Sequence, residues 1–186
     1  MNRRNVLFVG TLLIGMTAAL GASAALVKSG TPAVKFFAKG KGLGMVPMDV
    51  NGSSSNLGVT EKDGKISVTV PVSSFSTGIE MRDKHMKSKY LHADKHPNVT
   101  LVVERSALQF PNGKPVKSDA TGQLTLHGQT KAKKFSYKAE QSGGVLKVSA
   151  AFDIDITQFG IEKPEEYGVK IEPNVKIDVK FEVKDN

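Results

Sequence analysis

The residues with the most chemical potential lie between Met81 and Leu101, in the run MRDKHMKSKYLHADKHPNVTL. It holds three of the four histidines (His85, His92, His96) and five basic side chains (Arg82, Lys84, Lys87, Lys89, Lys95). Met81, Met86, Tyr90 and Leu91 are threaded between them. Two kinds of chemistry fit these residue types. The first is capture of a polar or anionic head group. Arg82 suits a planar acceptor through two parallel hydrogen bonds, while Lys84, Lys87 and Lys89 act as point charges. His85, Lys87 and Tyr90 complete the expected head-group set with Arg82. The second is metal binding, since His92 and His96 are four apart and His85 is seven before His92. On one helix these would share a face and suit zinc or copper. Pro97 argues against that helix, because it pushes His96 into extended geometry. No metal and no cofactor are therefore expected. The plainer alternative pairs Arg82 with Asp83 or Glu80 and leaves the lysines solvated, as exposed ion pairs usually are.

Catalytic patterns are missing. There is no Gly-x-Ser-x-Gly elbow, no His-Glu-x-x-His, no phosphate-binding loop and no Gly-x-Gly-x-x-Gly fingerprint in a strand-turn-helix setting. Gly40, Gly42 and Gly44 alternate, but they read as a strand bend or bulge. Asp153 and Asp155 alternate with apolar neighbours and read as an outer strand face. The chain is predicted not to be an enzyme.

The elements that must position the 81–101 segment show in the hydrophobic period. Val99, Leu101 and Val103 fall on one face of a strand, as do Leu124 and Leu126, and Phe135 and Tyr137. Leu146, Val148, Ala150, Phe152 and Ile154 make a longer row, and Val175 to Val183 another. Strict alternation predicts half-buried antiparallel strands with one wet face. Asp63-Gly64, Pro111-Asn112-Gly113, His127-Gly128 and Gly143-Gly144 stand where hairpins should turn. Long exposed edges invite aggregation, so rows of this length favour a closed barrel. Residues 81–90 break the alternation, with Met86 and Tyr90 four apart, and predict a short helix. That helix is too charged for a core and too regularly apolar for a linker. It reads as an amphipathic cover over an apolar space.

The ends and the composition set the context. Arg3 and Arg4, the apolar run from Val6 to Leu20 and the small residues Ala22-Ser23-Ala24 predict a secretory signal peptide over 1–24. The remainder, 25–186, is of single-domain length. With no cysteine among 186 residues, disulfides and thiol chemistry are excluded. The formal charge of +8 favours transient contact with an anionic membrane surface. Nucleic acid is not an expected partner, because the chain is exported and carries no RNA-binding motif. A homodimer is left open.

Several linked motifs resemble a known family. They are Ser74-Phe75-Ser76-Thr77-Gly78, then Arg82-Asp83-Lys84-His85, then His96-Pro97-Asn98-Val99-Thr100-Leu101. Gly122-Gln123-Leu124-Thr125-Leu126-His127-Gly128, Phe152-Asp153-Ile154-Asp155 and Phe159-Gly160-Ile161 follow. In this order they are similar to the YceI-like family of periplasmic lipocalin-like proteins, over about residues 33–184. The resemblance implies an all-β fold, an extended eight-stranded antiparallel lipocalin-like β-barrel with a short helix near 80–90. It also implies a lumen holding a long amphiphile, of polyisoprenoid or fatty-acid-amide type, in the periplasm. The chain departs from the family at His96 and at Tyr90-Leu91-His92, where aromatic residues are more usual. Resemblance and alternation together place Phe75, Met81, Met86, Leu91, Val99, Leu101, Leu124, Phe152, Ile154 and Phe159 on the lumen wall. Two alternatives remain: a metal-binding protein using His85, His92 and His96, or a lipid-free, stress-linked surface-binding protein.

Overall fold

The computed structural model describes residues 24–25, 27–166 and 168–184, with side chains described from Thr31 onward. The expected signal segment, apart from Ala24, lies outside these residues. In chain order the strands are β1 (Ala24–Ala25), β2 (Val27–Lys41), β3 (Pro47–Ser54) and β4 (Gly58–Lys62). There follow β5 (Lys65–Pro71), β6 (Asn98–Glu104), β7 (Val116–Leu126), β8 (Gln129–Ser142), β9 (Val145–Asp155), β10 (Glu165–Glu166) and β11 (Val169–Lys184). All pair antiparallel in one sheet, in the order β1-β4-β5-β6-β7-β8-β9-β11-β2-β3, with β10 on β11.

The pairings roll this sheet up. The segment 47–62 runs back along the segment 24–41, first as Lys41↔Pro47 to Val34↔Ser54, then as Ala25↔Thr60 and Ala24↔Glu61. β3 and β4 are thus one strand interrupted at 55–57. With β1 and β2 counted likewise, and the two-residue β10 set aside, eight strand positions surround the interior, the number the resemblance implies. The seam at the interruption is closed by backbone bonds between Ser53 and Ser76 in both directions, each 2.8 Å, and by Ser54 Oγ against Ser74 Oγ at 2.7 Å. Leu57 projects inward there and is 2% exposed, packed with Val34, Val59, Ile66, Val70 and Val183.

Local chemistry explains the corners. Three hairpins turn on two residues: Asp63-Gly64 (φ 51° and 71°), His127-Gly128 (51° and 73°) and Gly143-Gly144 (58° and 75°). Two successive positive φ values match the right-handed twist of the flanking strands, which is why glycine takes the second place in each. Pro111-Asn112-Gly113 is different. It lies in the long excursion between β6 and β7, after a 3₁₀ turn at Arg105–Ala107, and is not a hairpin turn. The ladder between β6 and β7 runs only from Thr100↔Thr125 to Val102↔Gln123 and then parts at Gly122. A Cβ on Gly122 would sit 2.8 Å from the Val102 carbonyl oxygen and 2.8 Å from Val103 Cγ2. Gly122→Ala is therefore expected to cost about 1–3 kcal/mol, the range of core overpacking. The midpoint of denaturant unfolding measures it, and an unchanged midpoint contradicts the close approach.

The inward rows read from the sequence face the interior. The 81–90 segment is helical as expected, in two parts: α1 (Glu80–His85) and a π-helical turn at Met86–Tyr90. It crosses one end of the barrel, between β5 and β6.

An apolar tunnel with a polar lid

Inside the barrel is a continuous cavity of about 810 Å³. It reaches from Met81, Arg82, Tyr90 and Glu166 under the helix to Gln109, Phe110 and Gly144 at the opposite end. Its wall is built from alternate residues of the strands, among them Val148, Ala150 and Phe152 of β9 and Val175, Ile177 and Val179 of β11. On β11 the lining runs from Val169 to Val183. Fourteen residue steps of ~3.3 Å, inclined ~40° as barrel strands are, give roughly 35 Å of axis. The space is long and narrow.

The cavity wall includes Phe75, Met81, Met86, Leu91, Val99, Leu101, Leu124, Phe152 and Ile154. Phe159 is not on it. It is 2% exposed, on a 3₁₀ turn at Ile156–Phe159, and packs beneath the wall with Leu126, Ile156 and Ile161. The turn breaks the alternation that made Phe159 look inward-facing. Of the expected head-group residues, Arg82, His85 and Tyr90 reach the cavity, but Lys87 does not. Lys87 lies one residue past Met86 on the helical turn, and Met86 takes the cavity side.

The helix is pinned at its start by Asp83. Its carboxylate accepts from Thr77 N at 2.7 Å, from the Thr77 hydroxyl and from Ser76 Oγ at 2.7 Å. Arg82 pairs with neither Asp83 nor Glu80. It donates through Nε to Thr77 Oγ1 at 2.8 Å and through Nη2 to the Thr77 carbonyl at 2.9 Å. Partial burial alone would raise the Asp83 pKa, but the hydrogen bonds from Thr77 and Ser76 and the charge of Lys87 outweigh it and hold the carboxyl below its ordinary value. A carboxyl depressed on folding stabilises above its unfolded pKa and loses that contribution as pH falls through the folded value. The anchor is thus expected to be at full strength above about pH 4, the ordinary Asp value, and to weaken as pH falls below it toward the lower folded value. Asp83→Asn should weaken this acid transition in hydrogen exchange at the start of the helix, around residues 80–84, while the contribution of Glu166 at the Lys89–Tyr90 end remains. An unchanged acid profile contradicts the assignment.

At its other end the helix is tied to the turn before β11 by a residue the sequence did not single out. Glu166 accepts from Lys89 Nζ and, at 3.1 Å, from Tyr90 OH, with His85 Nδ1 3.9 Å away. The Lys89 hydrogen bond is the main reason the Glu166 carboxyl is held low and the Lys89 ammonium high. Nothing in the run Lys163-Pro164-Glu165-Glu166 marks it beforehand, because the contact spans 76 positions.

The histidines are arranged differently from the set considered for a metal. His85 stands apart at Glu166. His92 and His96 instead meet His127 of the β7–β8 turn. His92 Nδ1 is 2.9 Å from His127 Nε2, His127 Nδ1 is 3.1 Å from the Phe159 carbonyl oxygen, and the His96 and His127 rings are edge-on at 4.9 Å. Among the described residues no group of three histidine or acidic side chains is disposed to hold a metal. At the far end, Tyr137 OH accepts from Gln109 N at 2.7 Å, and Arg105 lies 4.3 Å over the Phe110 ring.

A rolled antiparallel sheet, a long apolar lumen and a short helix across one mouth define a lipocalin-like barrel. The model of the YceI-like domain matches residues 29–183, and the chain belongs to that family. A UPF0312 protein of Vibrio parahaemolyticus is 33% identical over 133 residues, covering 67% of this chain and 68% of its own. Among solved structures, a polyisoprenoid-binding domain from Saccharophagus degradans superposes with a TM-score of 0.70 at 15% identity, covering 89% of this chain and 99% of its own. BcnA of Burkholderia cenocepacia gives 0.60 at 19% identity, covering 80% of this chain and 95% of its own. A YceI protein of Campylobacter jejuni gives 0.59 at 16%, covering 75% and 86%. At these identities the solved structures speak to the fold.

Proposed function

We propose that this chain is a periplasmic binding protein, not an enzyme, and that it sequesters or carries one long-chain amphiphile in its lumen. The observation that carries the reading is the continuous apolar cavity of about 810 Å³ running between the two barrel ends. An apolar space of this length, if left unfilled, would forfeit the packing a filled core has. A hydrocarbon chain would regain about 0.8 kcal/mol per buried CH₂. The fold likeness to a polyisoprenoid-binding domain points to the same class of ligand.

The mouth narrows the head group. Lys89 and Tyr90 already serve Glu166, and Arg82 already donates to Thr77 from two nitrogens. The Glu166–Lys89 pair is neutral as a unit, which leaves Arg82 as the one uncompensated charge among these mouth residues, too little to balance a multiply charged anion. A hydroxyl or amide head, reading Arg82, His85 and Tyr90 by hydrogen bonds, fits better than a diphosphate. Protein purified without detergent should release a stoichiometric long-chain lipid on organic extraction, identified by mass spectrometry. The apo form should be stabilised by a long-chain amide or polyprenol more than by the diphosphate. A folded protein that carries no lipid, and gains no stability from any of these, overturns the reading.

A further inference from the structure

Six large apolar side chains stand exposed among the described residues, and five of them share one end of the barrel. Leu43, Met45 and Val46 form the tip of the β2–β3 turn, and Ile79 and Met81 begin the lid helix. Their exposures lie between 53% and 78%. Contacts place them together. Leu43 rests on Gly168, its Cδ2 2.6 Å from where a Cβ would be. Two residues earlier Glu166 holds Lys89 and Tyr90 of the lid. Ile79 and Met81 also line the cavity, with Met48 just beyond the turn tip. The tunnel mouth therefore opens within the ring of exposed apolar groups. Phe110, the sixth, is at the opposite end.

We infer that this end of the barrel inserts into the surface of a phospholipid bilayer, so that a lipid passes between membrane and lumen without crossing water. The inference rests on the lipid-carrier reading and adds where loading occurs. Two features favour a bilayer over a protein partner. The apolar groups stand on a protruding turn and a helix start, whereas protein interfaces bury theirs in a packed, complementary patch. They also ring the entrance of a space that takes the same hydrocarbon a membrane offers. The charges set the mode of contact. Lys89 and Lys170 are paired with Glu166 and Glu165. Lys41, Lys84 and Lys87 have no acidic partner within ion-pair distance among the described residues. Those three can meet lipid phosphates, while Glu80 and Asp49 nearby offset part of the attraction. Insertion of apolar side chains then carries most of the binding.

The test is cosedimentation of the exported domain, residues 25–186 without the apolar segment 6–20, with vesicles of phosphatidylcholine and phosphatidylglycerol, at low salt and at 0.5 M salt. Binding should persist at high salt. Leu43→Ser with Val46→Ser, and separately Met81→Ser, should each weaken it about tenfold or more, while Phe110→Ser leaves it unchanged. Leu43 and Val46 lie outside the barrel core, and unchanged thermal unfolding checks that the variants fold. Binding abolished by salt and indifferent to these substitutions overturns the inference in favour of adsorption through the overall positive charge. Substitutions that alter self-association in sedimentation, but not vesicle binding, overturn it in favour of a protein contact. Lipid content of the purified protein is read separately. A lipid-loaded protein that ignores vesicles defeats docking alone, and an inserting protein that never holds lipid defeats the carrier reading alone.

Discussion

Leu101→Arg is expected to empty the barrel. Leu101 faces the lumen midway along β6, opposite Leu124 on β7 and Val68 on β5. Guanidinium cannot shed its charge, and an unpaired ion in an apolar space costs several kcal/mol. Without ligand the cost is bearable, because water can enter the open cavity and solvate the group. With a hydrocarbon chain in place that water is excluded. The penalty therefore falls on binding more than on folding. At several kcal/mol, loading should drop by 10³-fold or more. Phe152→Arg on β9 should act the same way from another wall. Mass spectrometry of the extract reads the loading, and circular dichroism reads the fold. A variant that folds and still carries lipid shows that the chain does not run past these positions. A variant that unfolds outright identifies the lumen as a packed core.

The second large effect is on stability. Leu57→Ala should cost about 2–5 kcal/mol, the range for a fully buried leucine. Leu57 is the one side chain described at the 55–57 interruption that points inward, and it is 2% exposed. It packs across the seam onto Val34 of β2 and Val183 of β11. Few backbone bonds hold the seam there, so side-chain packing has little backup. By contrast Val148→Ala should cost much less: both residues border the cavity, but Leu57 is enclosed by its neighbours whereas Val148 is only half-buried. Denaturant unfolding of both variants gives the comparison. Equal losses would mean that Val148 is packed as tightly as Leu57.

The strands that alternate cleanly were legible because burial on one face imposes a period of two. Leu146 to Ile154 and Val175 to Val183 lie inward along their whole length for that reason. The turns were legible where a two-residue loop demands positive φ, as at His127-Gly128. The first two strands were harder. Lys35-Phe36-Phe37-Ala38 does not alternate, since Phe36 lines the lumen while Phe37 lies outside beneath Lys176. At the site, local spacing found Met81, Arg82, His85 and Tyr90 because they share one short helix. It placed Phe159 on the wall and missed the 3₁₀ turn that withdraws it. Glu166 escaped altogether, and His127 was read only as part of a turn, without its contact to His92. Each reaches the lid from a distant part of the chain, and composition carries no trace of such pairings.

The contact of His92 with His127 fixes where protons must be. The Phe159 carbonyl can only accept, so the proton on His127 sits on Nδ1. That leaves Nε2 of a neutral His127 as an acceptor, and His92 must then supply its own proton from Nδ1. The hydrogen bonds run one way, from the loop after the lid, through the β7–β8 turn, to the turn that follows β9. A proton added to His92 at Nε2 leaves this chain unbroken. One added to His127 at Nε2 is tolerated only if His92 moves its own proton to the outer nitrogen and reverses the bond. Two added protons, one on each ring, leave N–H facing N–H and separate the loop from the barrel. The ring ¹⁵N shifts of the neutral pair should accordingly report Nδ1–H on both His127 and His92, and any other tautomer pair contradicts this arrangement.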